Sequence, residues 1–292
     1  MNWSAHKKGI CLIHLATLLF GFSGLFGKFL SCSSLVIVFG RTVFAALTLF
    51  LAIRFFTDQE GAVKTGRHLG WYALQGLLLA VHWCAFFYSI QISSVAIGLI
   101  TFSTFPLFVT FMEPAFFKEP LTLFNVGCAV AVFIGICLVV PDLDLSNQFT
   151  RGAFWGIFSG FTFALLAMVN RKNVKTLHPI RVSLFQNLFA ALFLLFPLLI
   201  TSPAPPGIRD IGLLVILGVI FTALAHTLFI SSLSIISAQT ASVIIGLEPV
   251  YGIFLALFLL SEVPDLKTIV GGIIIIITTM AAGWQSSRSA QP

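Results

Sequence analysis

The residues able to do chemistry lie inside apolar stretches. Glu248-Pro249 falls near the middle of Gln239–Glu262, QTASVIIGLEPVYGIFLALFLLSE. A stretch of that length and apolarity can span a bilayer, where a carboxylate is costly unless it faces protein or water. The proline beside it removes a helical hydrogen bond and leaves a carbonyl to be satisfied. A second set, Ser103, Pro106, Thr110 and Glu113, has 3,4,3 spacing and so shares one helical face. Either acid could carry a proton. For Glu113, a salt bridge or a neutral carboxyl within a helix bundle is an equal alternative.

A third set is Gln75, His82 and Ser89 at i, i+7 and i+14, with Trp83 and Tyr88 alongside. A polar stripe on a membrane helix predicts a wet cavity, although a single histidine can also be a satisfied donor. His226 follows Thr222 by four residues in another apolar run. Arg41 lies about two turns into its run. A guanidinium there needs a carboxylate, helix-end carbonyls or an anionic ligand, unless it snorkels to the surface. His14, Thr17, Gly21, Gly24 and Lys28 follow 3,4,3,4 spacing. Small residues on one face admit another helix or leave room for a ligand, and Lys28 could snorkel. Glu119 and Glu262 precede Pro120 and Pro264, where they are predicted to neutralise the N-terminal ends of the spans that follow.

The elements that must position these groups are membrane helices. Of 292 residues, 58% are hydrophobic and 9% charged, which describes a polytopic membrane protein. Ten apolar segments are expected: 9–30, 35–56, 69–90, 95–117, 122–140, 152–169, 180–201, 211–232, 239–260 and 266–284. The first is too long for a signal-peptide core and lacks a convincing cleavage site. With the N-terminus inside, eleven Lys and Arg fall on the inner side and three on the outer, predicting that both termini are cytoplasmic. The net charge of +6 sits in short clusters between apolar runs, which argues against nucleic acid. The five cysteines show no metal-ligand or CxxC spacing and read as small buried hydrophobes. There is no HExxH, Walker loop or GxSxG, so neither an enzyme nor a cofactor or metal is expected.

The chain repeats itself. Pro106 and Pro249 are 143 positions apart, as are Glu119 and Glu262, Lys8-Gly9 and Arg151-Gly152, Lys28 and Arg171, and Trp83 and His226. Phe44-Ala-Ala-Leu47 and Phe189-Ala-Ala-Leu192 match at 145, the offset that also pairs Arg41 with Gln186. Residues 1–144 and 145–292 thus form two repeats of five spans. Because five is odd, the second must enter the membrane inverted, with a site near the midplane between them. The acids break the symmetry: Glu248 aligns with Phe105, and Glu113 with Ala256. They are therefore expected to serve a solute or ion rather than the fold.

These features resemble the EamA family of the drug/metabolite transporter superfamily. The resemblance covers nearly the whole chain. It rests on the ten spans, the duplication, PLFVTFMEPAFFKEP at Pro106–Pro120, EPVYGIFLALFLLSE at Glu248–Glu262, the Arg41 segment RTVFAAL, and the glycines Gly127 and Gly271-Gly272. It implies an all-α bundle around a central cavity lined mainly by spans 1, 3, 4, 6, 8 and 9. It also implies transport of small metabolites, frequently export of amino acids. Asp142-Leu-Asp144 and Glu113 depart from the family pattern and leave the charge of the substrate open.

The resulting expectation is a secondary transporter of the cytoplasmic membrane, working by alternating access as a monomer or weak homodimer. His82, Trp83, Glu248, His226 and Tyr251 would contact substrate. Glu113, Arg41, Thr17 and Ser103 would add cavity polarity or proton coupling, and Pro106 and Pro249 would bend the helices. The alternative is an exchanger of a larger charged metabolite, such as S-adenosylmethionine or a nucleotide-linked compound.

Overall fold

A computed structural model describes residues 5–56, 69–117, 122–140, 144–173, 178–236 and 238–289. The first half contains α1 (Ala5–Gly24), the short α2 (Phe26–Phe29), α3 (Ser34–Phe56), α4 (Leu69–Ile92), α5 (Val95–Phe102), α6 (Phe105–Phe117) and α7 (Leu123–Val139). The second contains α8 (Gln148–Asn173), α9 (Pro179–Thr201), α10 (Ile208–Gly218), a π-helical segment (Val219–Leu224), α11 (Ala225–Leu233), α12 (Ala238–Ile245), α13 (Glu248–Leu259) and α14 (Leu266–Ser289). No strand occurs among the described residues. Seven helical stretches are long and apolar enough to cross a membrane, and Leu123–Val139, Val243–Leu259 and Leu266–Ala282 are shorter apolar helices.

The polarity of the molecule is inverted relative to a soluble protein. Phe196 and Leu199 on α9 are 71% and 77% exposed, whereas Gln75, Asn170, Gln186 and Asn187 are fully buried. In lipid an unpaired amide has no water to turn to, so the polar side chains are gathered inside. Two of the five cysteines depart from the expected burial: Cys11 and Cys137 are exposed on the apolar exterior.

The halves pack as counterparts. α4 lies against α8, and α11 against α1; α8 contacts α6, and α1 contacts α13; α5 meets α13, and α12 meets α6. Exchanging the repeats maps each of these contacts onto its partner. The shared Phe-Ala-Ala-Leu segments have a packing reason. A Cβ added to Gly76 on α4 would lie 2.9 Å from Ala190 N and 3.0 Å from Gln186 O; one added to Gly218 would lie 3.3 Å from Ala45 N and 3.0 Å from Arg41 O. Each segment is thus the seat on which a glycine of the other helix lands, and any side chain there would force the helices apart.

One irregularity separates the copies. Gly76 and Gly218 are 142 positions apart, but Trp83 and His226 are 143 apart. The extra residue falls within the π-helical segment Val219–Leu224. A π-bulge accommodates one added residue without shifting the helix on either side. Thr222 Oγ1 donates to Leu217 O five residues back, at 2.7 Å, within this widened turn.

Candidate functional site

Two broken helices meet at the junction of the repeats. α5 and α6 are separated by Ser103-Thr104, and α12 and α13 by Gly246-Leu247. Neither proline lies in a helix interior. Pro106 and Pro249 are the second residues of α6 and α13, where a missing N–H costs no intrahelical bond. The breaks precede the prolines, which start the second half-helices rather than kinking continuous ones. Ser103 Oγ donates to Leu99 O at 3.0 Å and Thr104 Oγ1 to Thr101 O at 2.8 Å, so both hydroxyls serve the last turn of α5. Glu248 is the first residue of α13 and is buried, which places its carboxyl at the positive end of that half-helix.

Beside Glu248 is a small cavity. Ser23, His82, Trp83, His226 and Glu248 line it together with Phe20, Phe86, Phe102 and Phe163. Its volume of about 20 Å³ suits a water molecule rather than a metabolite, so no solute fits it in this conformation. The His82 ring packs 4.8 Å from Phe163 and 5.3 Å from Phe102, and Trp83 meets His226 at 5.7 Å. The walls are therefore aromatic faces, with polar groups at a few points.

Hydrogen bonds fix the two imidazoles. His82 Nδ1 lies 2.8 Å from Ser159 Oγ and 3.2 Å from Ser159 O, while the Ser159 hydroxyl faces the His82 carbonyl at 3.1 Å. A carbonyl only accepts, so these contacts place a hydrogen on Nδ1. His226 Nε2 lies 2.7 Å from Gln186 Oε1, which makes Nε2 the donor. Gln186 Nε2 donates in turn to Asn170 Oδ1 at 2.6 Å, as does Gln75 Nε2 at 3.0 Å. A hydrogen-bonded chain thus runs from His226 at the cavity into the bundle through Gln186, Asn170 and Gln75.

Arg41 is buried behind Trp83. Its Nε donates to Thr222 Oγ1 at 2.9 Å and an Nη nitrogen to Phe221 O at 3.3 Å, both in the π-helical segment. Its guanidinium carbon lies 3.9 Å from the Trp83 ring centroid. Of the partners anticipated for it, a helix carbonyl is present, and an aromatic face joins it.

His82, Trp83, His226 and Glu248 are brought together at the cavity. Tyr251 is not among its lining residues; its Cβ instead faces Gly21 where α1 crosses α13. Thr17 is buried but donates to its own helix at Ile13 O, at 2.8 Å. Ser103 closes α5 as described, and the Glu113 side chain lies outside the described ones. His14 is exposed, and Gly21 sits against α13, so the α1 stripe serves helix packing.

The Gln75–His82–Ser89 stripe has a second role. All three bond to α8, through Asn170, Ser159 and Gly152 O, forming a seam between repeats, and of the three only His82 is among the residues lining the cavity. Glu262 is also redirected: its carboxylate accepts from Val95 N at the start of α5, and Asp265 caps α14 through Thr268 N at 2.6 Å. Glu119 lies outside the described residues. Ser23, Ser159 and Asn170 carry site contacts that sequence reasoning missed. Asn170 stands out only as an amide beside Arg171 at the end of an apolar run; Ser23 and Ser159 gave no periodic signal.

A model of the EamA-like transporter family matches residues 7–140 and again 150–283. The uncharacterized transporter YxxF of Bacillus subtilis is 25% identical, over 95% of this chain and 90% of its own. The S-adenosylmethionine uptake transporter of Rickettsia prowazekii is 24% identical over 97% and 95%, and the pseudopaline exporter CntI of Pseudomonas aeruginosa 25% over 94% and 95%. A solved crystal structure superimposes with a TM-score of 0.68 at 13% identity, over 97% of this chain and 99% of that one, which bears on the fold alone.

Proposed function

Because the chain belongs to the EamA-like transporter family, we propose that it is an alternating-access secondary transporter of small zwitterionic metabolites, amino acids first, exporting them across the cytoplasmic membrane. Ten spans in two inverted repeats, with both termini cytoplasmic, complete this reading. The observation that carries it is the chemistry of this cavity. The Glu248 carboxyl offers an acceptor, the His82 and His226 rings line the cavity with it, and the aromatic walls attract cations through their faces. An ammonium group matches both. Arg41, one ring away behind Trp83, is the cation for a carboxylate once Trp83 moves. Expanding a cavity of about 20 Å³ to solute size requires helix movement, and the breaks before Pro106 and Pro249 supply joints beside it.

The experiment is uptake of individual labelled amino acids into proteoliposomes, with Glu248→Gln and His82→Ala beside the parent protein. Transport that is unchanged, with unchanged pH dependence, in both variants would remove this site assignment. A second reading, exchange of S-adenosylmethionine, is favoured by the aromatic wall, since a sulfonium is a cation without a proton to donate; a relative carries that transport in its name. It predicts uptake only into vesicles preloaded with a counter-substrate.

A further inference from the structure

Two charged side chains close on the turn between α4 and α5. Lys28 of α2 donates from Nζ to Ser93 O at 2.9 Å and lies 3.5 Å from Gln91 O. Glu262, beyond α13, accepts from Val95 N with both carboxylate oxygens at 3.1 Å. Each charge thereby meets the complementary end of a helix: a cation at the C-terminal carbonyls of α4, an anion at the N-terminus of α5. Ser94 caps α5 through Ile97 N, and Gln91 Nε2 donates to Cys32 O at 2.9 Å. The turn is thus tied both to the segment after α1–α2 and to the segment after α13.

Beneath the ties lies an apolar plug. Ile90 is fully buried one turn beyond Phe86, a cavity residue. A Cβ on Gly27 would lie 2.8 Å from Ile90 Cγ2, and Ile90 Cγ1 is the nearest neighbour of Gly98. Ile90 therefore fills the space between α2 and α5, on the line from the cavity to the bundle end that carries the turn.

We propose that Lys28 and Glu262 form a releasable latch that holds this end of the transporter shut over Ile90. The proposal rests on the alternating-access reading. Packing alone would hold a static bundle; two opposite charges, each tied to a helix end across one short turn, suit contacts that form and release. Each contact is electrostatic and partly solvated, strong enough to bias a closed state and weak enough to release.

The test is thiol accessibility in nanodiscs, where both faces meet the reagent and no solute is needed. Ile90→Cys, with Leu99→Cys as a second reporter, is placed in a full chain whose five cysteines are replaced. Tyr72→Cys reports on the other end. A hydrophilic methanethiosulfonate cation is the probe. Lys28→Met with Glu262→Gln should speed labelling at Ile90→Cys by about tenfold, the factor for 1.4 kcal/mol, and slow it at Tyr72→Cys. Lys28→Arg should keep the slow rate. Unchanged rates at both ends, or rates that rise together, would overturn the latch, the second outcome marking general loosening. Opposite shifts with no amino acid transported would retain the latch and remove the substrate reading.

Discussion

The guanidinium of Arg41 lies face-on to Trp83, 3.9 Å from the ring centroid, and Trp83 in turn forms part of the cavity wall. The cation acts on the site through an aromatic ring that it holds in place. Removing one buried, hydrogen-bonded charge leaves its partners unpaired and costs stability. Arg41→Met is therefore expected to lower the thermal midpoint and to lower proteoliposome uptake by about tenfold, the scale of a desolvated cation–π contact. Arg41→Lys should not rescue it, because an ammonium cannot stack on Trp83 and reach both Thr222 and Phe221 O. Full uptake by Arg41→Lys would show that charge alone matters.

Ser159 fixes the hydrogen on His82. Ser159→Ala removes the 2.8 Å contact to Nδ1 and leaves the 3.2 Å contact to the carbonyl. A loss of about 1 kcal/mol in stability is expected. The nitrogen shifts of labelled imidazole should move from the Nδ1–H form toward a tautomer mixture, with uptake falling several-fold. Spectra that remain in the Nδ1–H form would mean that the carbonyl suffices.

Gly21 is where α1 crosses the first turn of α13. A Cβ there would lie 2.9 Å from Glu248 O and 3.1 Å from Gly252 N, both backbone atoms that cannot rotate aside. Gly21→Ala should cost roughly 1–3 kcal/mol and displace Glu248. Uptake is expected to drop although no cavity side chain is altered. Gly127→Ala, whose added Cβ meets nothing within 4 Å, is the control and should be silent.

Asp265 caps α14 from outside the spans. The Thr268 backbone N–H and hydroxyl hold its carboxyl below the usual carboxylate range. A depressed pKa in the folded state contributes stability above the unfolded value of about 3.9, which is lost as pH falls through the folded value. Asp265→Ala should therefore cost about 1 kcal/mol at neutral pH and less in acid. Thermal midpoints at pH 7 and pH 3.5 check this; an equal loss at both would assign the effect to packing.

The duplicated scaffold was legible because duplication preserves register: Pro106 and Pro249 and the two Phe-Ala-Ala-Leu segments mark equivalent places in both halves. Periodicity placed Gln75, His82 and Ser89 on one face, but it gives a face and not what the face meets, and the partner is α8 throughout. Proximity in sequence points Glu262 to the helix start that follows it, while the start it meets in space belongs to α5, 167 residues away. The π-helical segment left only a one-residue change of offset. Its consequence, a widened turn that receives Arg41, depends on where α3 passes.

With its carboxyl ionised, Glu248 would set one negative group against the positive Arg41 beside the cavity, and such a balance has an electrical consequence. One elementary charge moved across 100 mV is worth about 2.3 kcal/mol. If these two groups cancel in the part of the protein that reorients, the empty carrier is indifferent to membrane voltage. Any voltage sensitivity of turnover then reports the charge of the cargo, together with any proton that accompanies it. A current measured across the bilayer would thus distinguish a zwitterion from a cation before the cargo itself is identified.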